Sequence, residues 1–270
     1  MLDASRTSFA AEVAGRFARD ALDSGEGEVC AVFRRSFYLR IPAPRHAGRF
    51  VCVGDASLGR GPLNALVGAL LGEFRAPGLG EKIRVATQGC RLWQPPVPSG
   101  TVGAADLAAL REAARGRVPE EGLGGLILGS YNGLSIHAQP ALEALDAWLA
   151  GNGLAAQAEA LIGLGPGLTP SGDDYFCGML VALRACGRAA QGAALWRWLE
   201  PRLAERTSAI SAAHLAAAAE GEAHEALHLC IAELFRKSGA WSAALSELDA
   251  VGHCSGWDAL AGAAAVAETV

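Results

Sequence analysis

Between Gly163 and Asp174 the chain reads Gly-Leu-Gly-Pro-Gly-Leu-Thr-Pro-Ser-Gly-Asp-Asp, which sets four glycines, two prolines, two hydroxyls and two carboxylates between apolar segments. Glycine frees φ and proline fixes it, so the run encodes one unusual backbone path that can bring amide N–H groups close to a ligand. The apolar stretch from Tyr175 to Ala185 reads as a helix leaving this loop. Its unbonded first-turn N–H groups would favour an anion, whereas Asp173 and Asp174 would repel one unless a metal ion or another cation sits between. Gly165, Gly167, Thr169, Ser171 and Gly172 are therefore candidates for binding a small anion or amide. Asp173 and Asp174 are candidates for catalysis, or for holding Mg2+.

The pattern S-G-x-D-x-x-x-G occurs twice, at Ser171–Gly178 and at Ser255–Gly262, each time opening an apolar helix. Serine at the N-cap and aspartate three residues on make a capping-box-like start, and the later glycine lets another backbone approach. Capping alone would explain either copy. The second adds His253, a titratable catalytic candidate beside Ser255 and Asp258, which are further ligand-binding candidates. Two such starts facing each other would form a polar pocket. Thr207, Ser208, Ser211 and His214 share a helical face and could line the same cavity, although serine and threonine also favour helix starts on their own account.

A competing chemistry is written at His224-Glu225-Ala226-Leu227-His228, which matches H-E-x-x-H, with Glu247 downstream as a third-ligand candidate. Two histidines one turn apart could hold zinc while Glu225 activates water, giving a zinc-dependent hydrolase. The pattern is short and its surroundings resemble a solvated helix start, so the site assignment carries no metal ligand.

These residues need a scaffold. With 51% hydrophobic and 19% charged residues in 270, the chain can bury a substantial core. A net charge of -5 argues against a nucleic-acid partner. No run reaches the length of a membrane span and the first residues lack signal-peptide order, so the expected location is cytoplasmic, with no membrane partner. Seven scattered cysteines without a C-x-x-C pair read as small apolar residues. The only lysines are Lys82 and Lys237, and the glycine loop lacks the G-K-[ST] ending of a phosphate-binding P-loop.

The expected fold class is α+β, a small β-rich N-terminal subdomain (1–100) packed on a larger, mostly helical subdomain (101–270) that carries the Gly-Pro-Ser-Asp loop. Residues 4–22 read as an amphipathic helix. Strands are expected at 29–33, 37–41, 49–53 and 83–86, and Gly61-Pro62 leads into a helical run to Leu71, as a second ligand loop or a plain turn. Helices are expected over 103–115, 139–150, 153–162, 173–186, 190–203, 207–219, 222–236, 240–250 and 256–268. Gly122–Ser135 fits a buried strand or a glycine-rich loop equally well.

The run Leu164–Asp174, taken with Gly252-His253-Cys254-Ser255-Gly256-Trp257-Asp258 and Gly262, resembles the AllH-like family, formerly a bacterial domain of unknown function associated with oxamate carbamoyltransferase. The resemblance covers the second half of the chain strongly and the Gly61-Pro62 region weakly. It implies a subunit that works with two other carbamoyltransferase subunits on carbamoyl phosphate and oxamate, or in reverse on oxalurate and phosphate, in allantoin breakdown. A non-catalytic assembly subunit is the other role open to such a chain. The chain departs from the family pattern at Tyr175, where phenylalanine is usual, and at Cys254, where serine is common; His224 and His228 lie outside that pattern. Carbamoyl transfer needs donors for a phosphate or carboxylate, polarisation of the carbamoyl oxygen and a proton acceptor.

Overall fold

A computed structural model describes residues 8–43, 46–68, 77–98 and 100–270. The chain divides into two compact units between Pro95 and Pro96. The first is built from strands and the second from helices, an α+β protein as the patterning indicates.

In the first unit, β1 (Ser8–Gly15) is followed by a short helix α1 (Arg16–Leu22). Then come β2 (Gly27–Val32), β3 (Ser36–Ala43), β4 (His46–Gly54), β5 (Asn64–Val67), β6 (Lys82–Ala86) and β7 (Arg91–Trp93). The strands lie in the order β5-β4-β3-β2-β6-β1-β7, and β5 also pairs with β1, closing the sheet into a barrel. Alternate side chains of β2, β3 and β4, such as Val29, Phe37, Leu39, Ile41, Val51 and Val53, fill its core, while Ala18, Ala21 and Leu22 of α1 join them.

The expected helix over 4–22 is corrected to a strand followed by a helix. Phe9, Val13 and Phe17 recur every four residues, and a spacing of four keeps side chains on one face of a strand as well as of a helix. Residues 4–7 lie outside the described residues. The helical run after Pro62 is also corrected: Asn64–Val67 is a strand, buried on both faces, and positions 69–71 lie outside the described residues.

The second unit carries α2 (Ala104–Ala114), α3 (Gly133–Leu149), α4 (Ser171–Ala185), α5 (Ala189–Arg206), α6 (Ala209–Ala219), α7 (Glu225–Arg236), α8 (Trp241–Asp249) and α9 (Ser255–Ala267). The glycine-rich 122–135 segment is neither strand nor open loop: Gly124–Leu128 forms a 3-10 turn, and α3 begins at Gly133 behind a cap in which Asn132 accepts from the Ser135 amide at 2.9 Å. The expected helix over 153–162 is a 3-10 stretch, Ala156–Leu161. The centre of the unit is α4, whose residues from Ser171 to Leu183 are all buried, an apolar surround that dictates how α9 meets it. No helix among the described residues is long and apolar enough to cross a membrane.

Candidate functional site at the crossing of two helix starts

The two S-G-x-D-x-x-x-G segments meet. Helix α4 lies along α9, and each motif's last glycine faces the backbone of the other: a methyl carbon placed at Gly178 would stand 1.7 Å from the Ala259 carbonyl oxygen, and one at Gly262 would stand 1.9 Å from that of Tyr175. The reciprocity makes the crossing nearly two-fold symmetric. Contact this close between helix backbones requires hydrogen as the side chain at both positions.

Close crossing brings the helix starts together. Thr169 Oγ1 and Ser255 Oγ lie 3.2 Å apart, and Ser171 Oγ is 3.9 Å from Cys254 Sγ. Pro170 and Cys254 occupy the N-cap positions, so the expected serine caps are corrected: Ser171 and Ser255 are first-turn residues. Their hydroxyls are turned to the opposite motif, Ser171 near Asp258 and Ser255 near Asp174. Positive φ at Gly163, Gly165 and Gly167 (72°, 111° and 98°) bends the loop over α4. The Gly172 amide is taken by the Leu164 carbonyl at 2.9 Å, whereas those of Gly165, Gly167 and Thr169 donate no backbone hydrogen bond among the described residues.

Beneath the hydroxyls lie two buried carboxyls. Asp258 is fully buried, and its Oδ1 accepts from the Leu123 and Gly124 amides at 2.5 and 3.1 Å. One Oδ2 on Asp174 and one on Asp258 accept no hydrogen bond from any described residue. Burial pushes the Asp174 pKa well up, with the nearby Ser255 hydroxyl opposing and the negative charge of Asp258 reinforcing the shift. Asp258 is raised by burial too, against the opposing pull of Ser171. Burial thus disfavours the charged form of both carboxyls, most strongly at Asp174. Burial and Asp258 likewise push the Cys254 thiol up to about 12, which removes it as a nucleophile at neutral pH.

Asp173 has a different environment. Completely buried, it accepts from the Gly163 amide at 2.8 Å through Oδ1, and from Ser211 Oγ at 2.6 Å and Thr207 Oγ1 through Oδ2. Ser208 Oγ donates to the Leu168 carbonyl at 2.6 Å. The start of α6 therefore does reach the loop, as its polar face suggested, and it clamps the loop through Asp173 and Leu168. With both oxygens taken by neighbouring donors, Asp173 is committed to the loop and does not fit as a Mg2+ ligand.

His253 stands apart from these groups. It is exposed in the turn before α9, with Nε2 3.2 Å from the exposed Glu121. Sequence reasoning missed the Leu123 and Gly124 amides. The signal was Gly122: a Cβ there would lie 2.4 Å from Asp258 Oδ1, so that glycine is dictated by the aspartate.

The H-E-x-x-H segment lacks a zinc helix. His224 is the N-cap of α7, with Nδ1 accepting from the Ala226 amide at 3.4 Å, and His228 Nε2 accepts from the Ala223 amide at 3.0 Å. Those lone pairs serve the helix start. Burial lowers the pKa of both His214 and His228 to about 4 from an ordinary 6.5, and the charge of His224 adds to it. Because the folded value lies below the unfolded one, the stability these histidines contribute is present above pH 6.5 and is lost as pH falls towards 4. His228→Gln should therefore flatten the acid limb of a thermal-midpoint-versus-pH curve and leave zinc content unchanged; a loss of bound zinc would restore the hydrolase.

No curated protein and no solved structure matches the chain. Residues 161–267, which contain both motifs whole and the Asp173 clamp between them, match the family model described as oxamate carbamoyltransferase subunit AllH.

Proposed function

We propose that this chain is one subunit of a multi-protein carbamoyltransferase, with its ligand site at the crossing of α4 and α9. The observation that carries the reading is the meeting of Thr169 and Ser255 above two buried acids with unpartnered oxygens. In the forward direction the amide nitrogen of oxamate attacks the carbamoyl carbon of carbamoyl phosphate. A C–N bond forms, the C–O bond to phosphate breaks, and the proton lost by the nitrogen passes to the departing phosphate. The free amides of Gly165, Gly167 and Thr169 suit a phosphate or carboxylate, and the hydroxyls of Thr169, Ser171 and Ser255 add donors. Asp174 is the group best matched to proton transfer, since a carboxyl with a raised pKa works nearer neutral pH than an ordinary one. The Ser255 hydroxyl connects it to the surface. Asp258 fixes the 122–124 turn and orients Ser171, and Asp173 is a positioning residue. Two further subunits complete the assembly, and the reaction places the protein in allantoin breakdown.

The charge problem posed by the sequence is eased by burial, which disfavours the charged form of Asp174 beside an anion. The experiment that tests this reading is Asp174→Asn, assayed in the reconstituted assembly and melted alone. The amide keeps the shape of a neutral acid but cannot exchange the proton, so turnover should fall by about 10²-fold or more. Stability should move the other way. A raised folded pKa means that the stability contributed by this group is fully present below about pH 3.8 and is lost as pH rises through the folded value. Asn removes that decline, so the variant should melt higher at neutral pH, by about 2–4 °C for each kcal/mol recovered. Unchanged turnover would assign the chain to assembly rather than chemistry.

A further inference from the structure

A cavity opens on the flank of the same two helices, between the 124–128 turn, α3, α4 and α9. It holds about 200 Å3 and is lined by apolar Leu126, Ile127, Leu142, Ala261, Ala264 and Ala265, with Tyr131, Gln139, Glu143, Asp146, Tyr175 and Glu268 supplying its polar groups. That volume is below the ~300–1,000 Å3 of a drug-sized site, so it admits one small group rather than a nucleotide.

Its chemistry is one-sided. Glu143, Asp146 and Glu268 are carboxylates facing one space; Arg111 pairs with Glu268, and the Gln139 amide donates to Glu143 at 2.9 Å. The Asp146 carboxyl has no hydrogen-bond partner among the described residues. Tyr175 is only 3% exposed, yet its hydroxyl makes no hydrogen bond to any described residue while it lines the cavity beside Asp146 and Glu268. The ring is buried and its hydroxyl opens only onto this cavity, where it is available to a ligand. At the mouth stands Tyr131, 63% exposed, a large ring of the kind over which a flat cation stacks.

We infer that this cavity binds a guanidinium or alkylammonium group, with Asp146 and Glu143 taking the cation's N–H donors, the Tyr175 hydroxyl completing the shell and Tyr131 covering the face. Partial desolvation, with Glu268 and Glu143 close by, holds the carboxyl of the surface residue Asp146 above its ordinary pKa. The apolar wall of Leu142, Ala261 and Ala264 accommodates the methylene stem. A metal ion is the poorer match, because no three acidic or metal-ligating side chains among the described residues converge closely enough. This inference stands apart from the carbamoyl-transfer reading, although Tyr175 is next to Asp174 on α4.

The test is titration calorimetry on the full chain with agmatine, a free guanidinium compound, with N-acetylarginine methylamide, which presents the same group as a polypeptide would, and with neutral butylurea as control. Saturable one-site binding is expected for a guanidinium compound and not for butylurea, and the tighter of the two identifies a free metabolite or a partner's side chain as the source. Asp146→Asn and Tyr131→Ala, both at exposed positions, should each weaken binding by about 10-fold, and Tyr175→Phe should do so if it folds. Absence of saturable binding, equal binding of butylurea, or affinity indifferent to both surface variants overturns the inference. No outcome depends on enzyme activity, so its failure is distinct from failure of the proposed function.

Discussion

Gly262→Ala should lower the thermal midpoint of the chain by roughly 6–12 °C, and Gly178→Ala should match it. Local helix propensity says the reverse, because alanine in a helix interior gains about 1 kcal/mol over glycine. Packing decides. The new methyl would lie 1.9 Å from the Tyr175 oxygen in one case and 1.7 Å from the Ala259 oxygen in the other, and both obstacles are backbone atoms that no rotamer change can move. The helices must separate along their whole contact, which puts the cost at the upper end of the ~1–3 kcal/mol of overpacking or beyond it. At about 2–4 °C per kcal/mol, a net loss near 3 kcal/mol gives the stated range. The double variant should lose less than the sum, since a crossing opened by the first methyl already has room for the second. Scanning calorimetry of the three variants checks this, and a midpoint that rises in either single variant would show that the helices do not cross at their glycines. Separation also parts Thr169 from Ser255, so these variants should lose turnover even below their melting temperatures.

That crossing was half-legible in the sequence. The repeated S-G-x-D-x-x-x-G and the demand of its last glycine for a close backbone were readable, and so was the prospect that the two starts face each other. What could not be read was the exchange of partners, in which each serine turns to the other motif's aspartate. A local pattern specifies a helix start and says nothing about which residue far along the chain stands opposite. The same limit hid the role of Asp173. Its neighbours Thr207 and Ser211 stood out as a polar face, but they lie 34 and 38 residues away, and only the α5–α6 turn returns them to the loop. In the first unit the β2, β3, β4 and β6 strands were plain from β-branched alternation, whereas β1 was hidden by a four-residue spacing common to both periodicities and β7 by its brevity, three residues from Arg91 to Trp93. The 3-10 stretches at Gly124–Leu128 and Ala156–Leu161 carry no period long enough to detect.

Asp173→Ala should be among the most destabilising single changes in the second unit, at about 3–5 kcal/mol. Removing the carboxyl strands the Gly163 amide and two hydroxyls around a side chain that has no exposed surface, and each stranded buried donor costs about 1–3 kcal/mol. The total is held below the simple sum because the Thr207 and Ser211 hydroxyls can rotate to other acceptors, while the Gly163 amide cannot. Asp173→Asn should recover most of the loss: its carbonyl oxygen still accepts from Gly163, and its NH2 can donate to hydroxyls that turn to accept. The order wild type, Asn, Ala should appear in urea midpoints with an unchanged slope. The contrast with Asp174 then separates positioning from chemistry on adjacent residues. Turnover of Asp173→Asn in the reconstituted assembly should approach wild type when cooled below its melting transition, because the loop is loosened but its donors survive. Asp174→Asn should stay impaired at every temperature while melting higher than wild type. If cooling fails to restore Asp173→Asn, the carboxylate of Asp173 takes part in the reaction and the clamp is not its whole function.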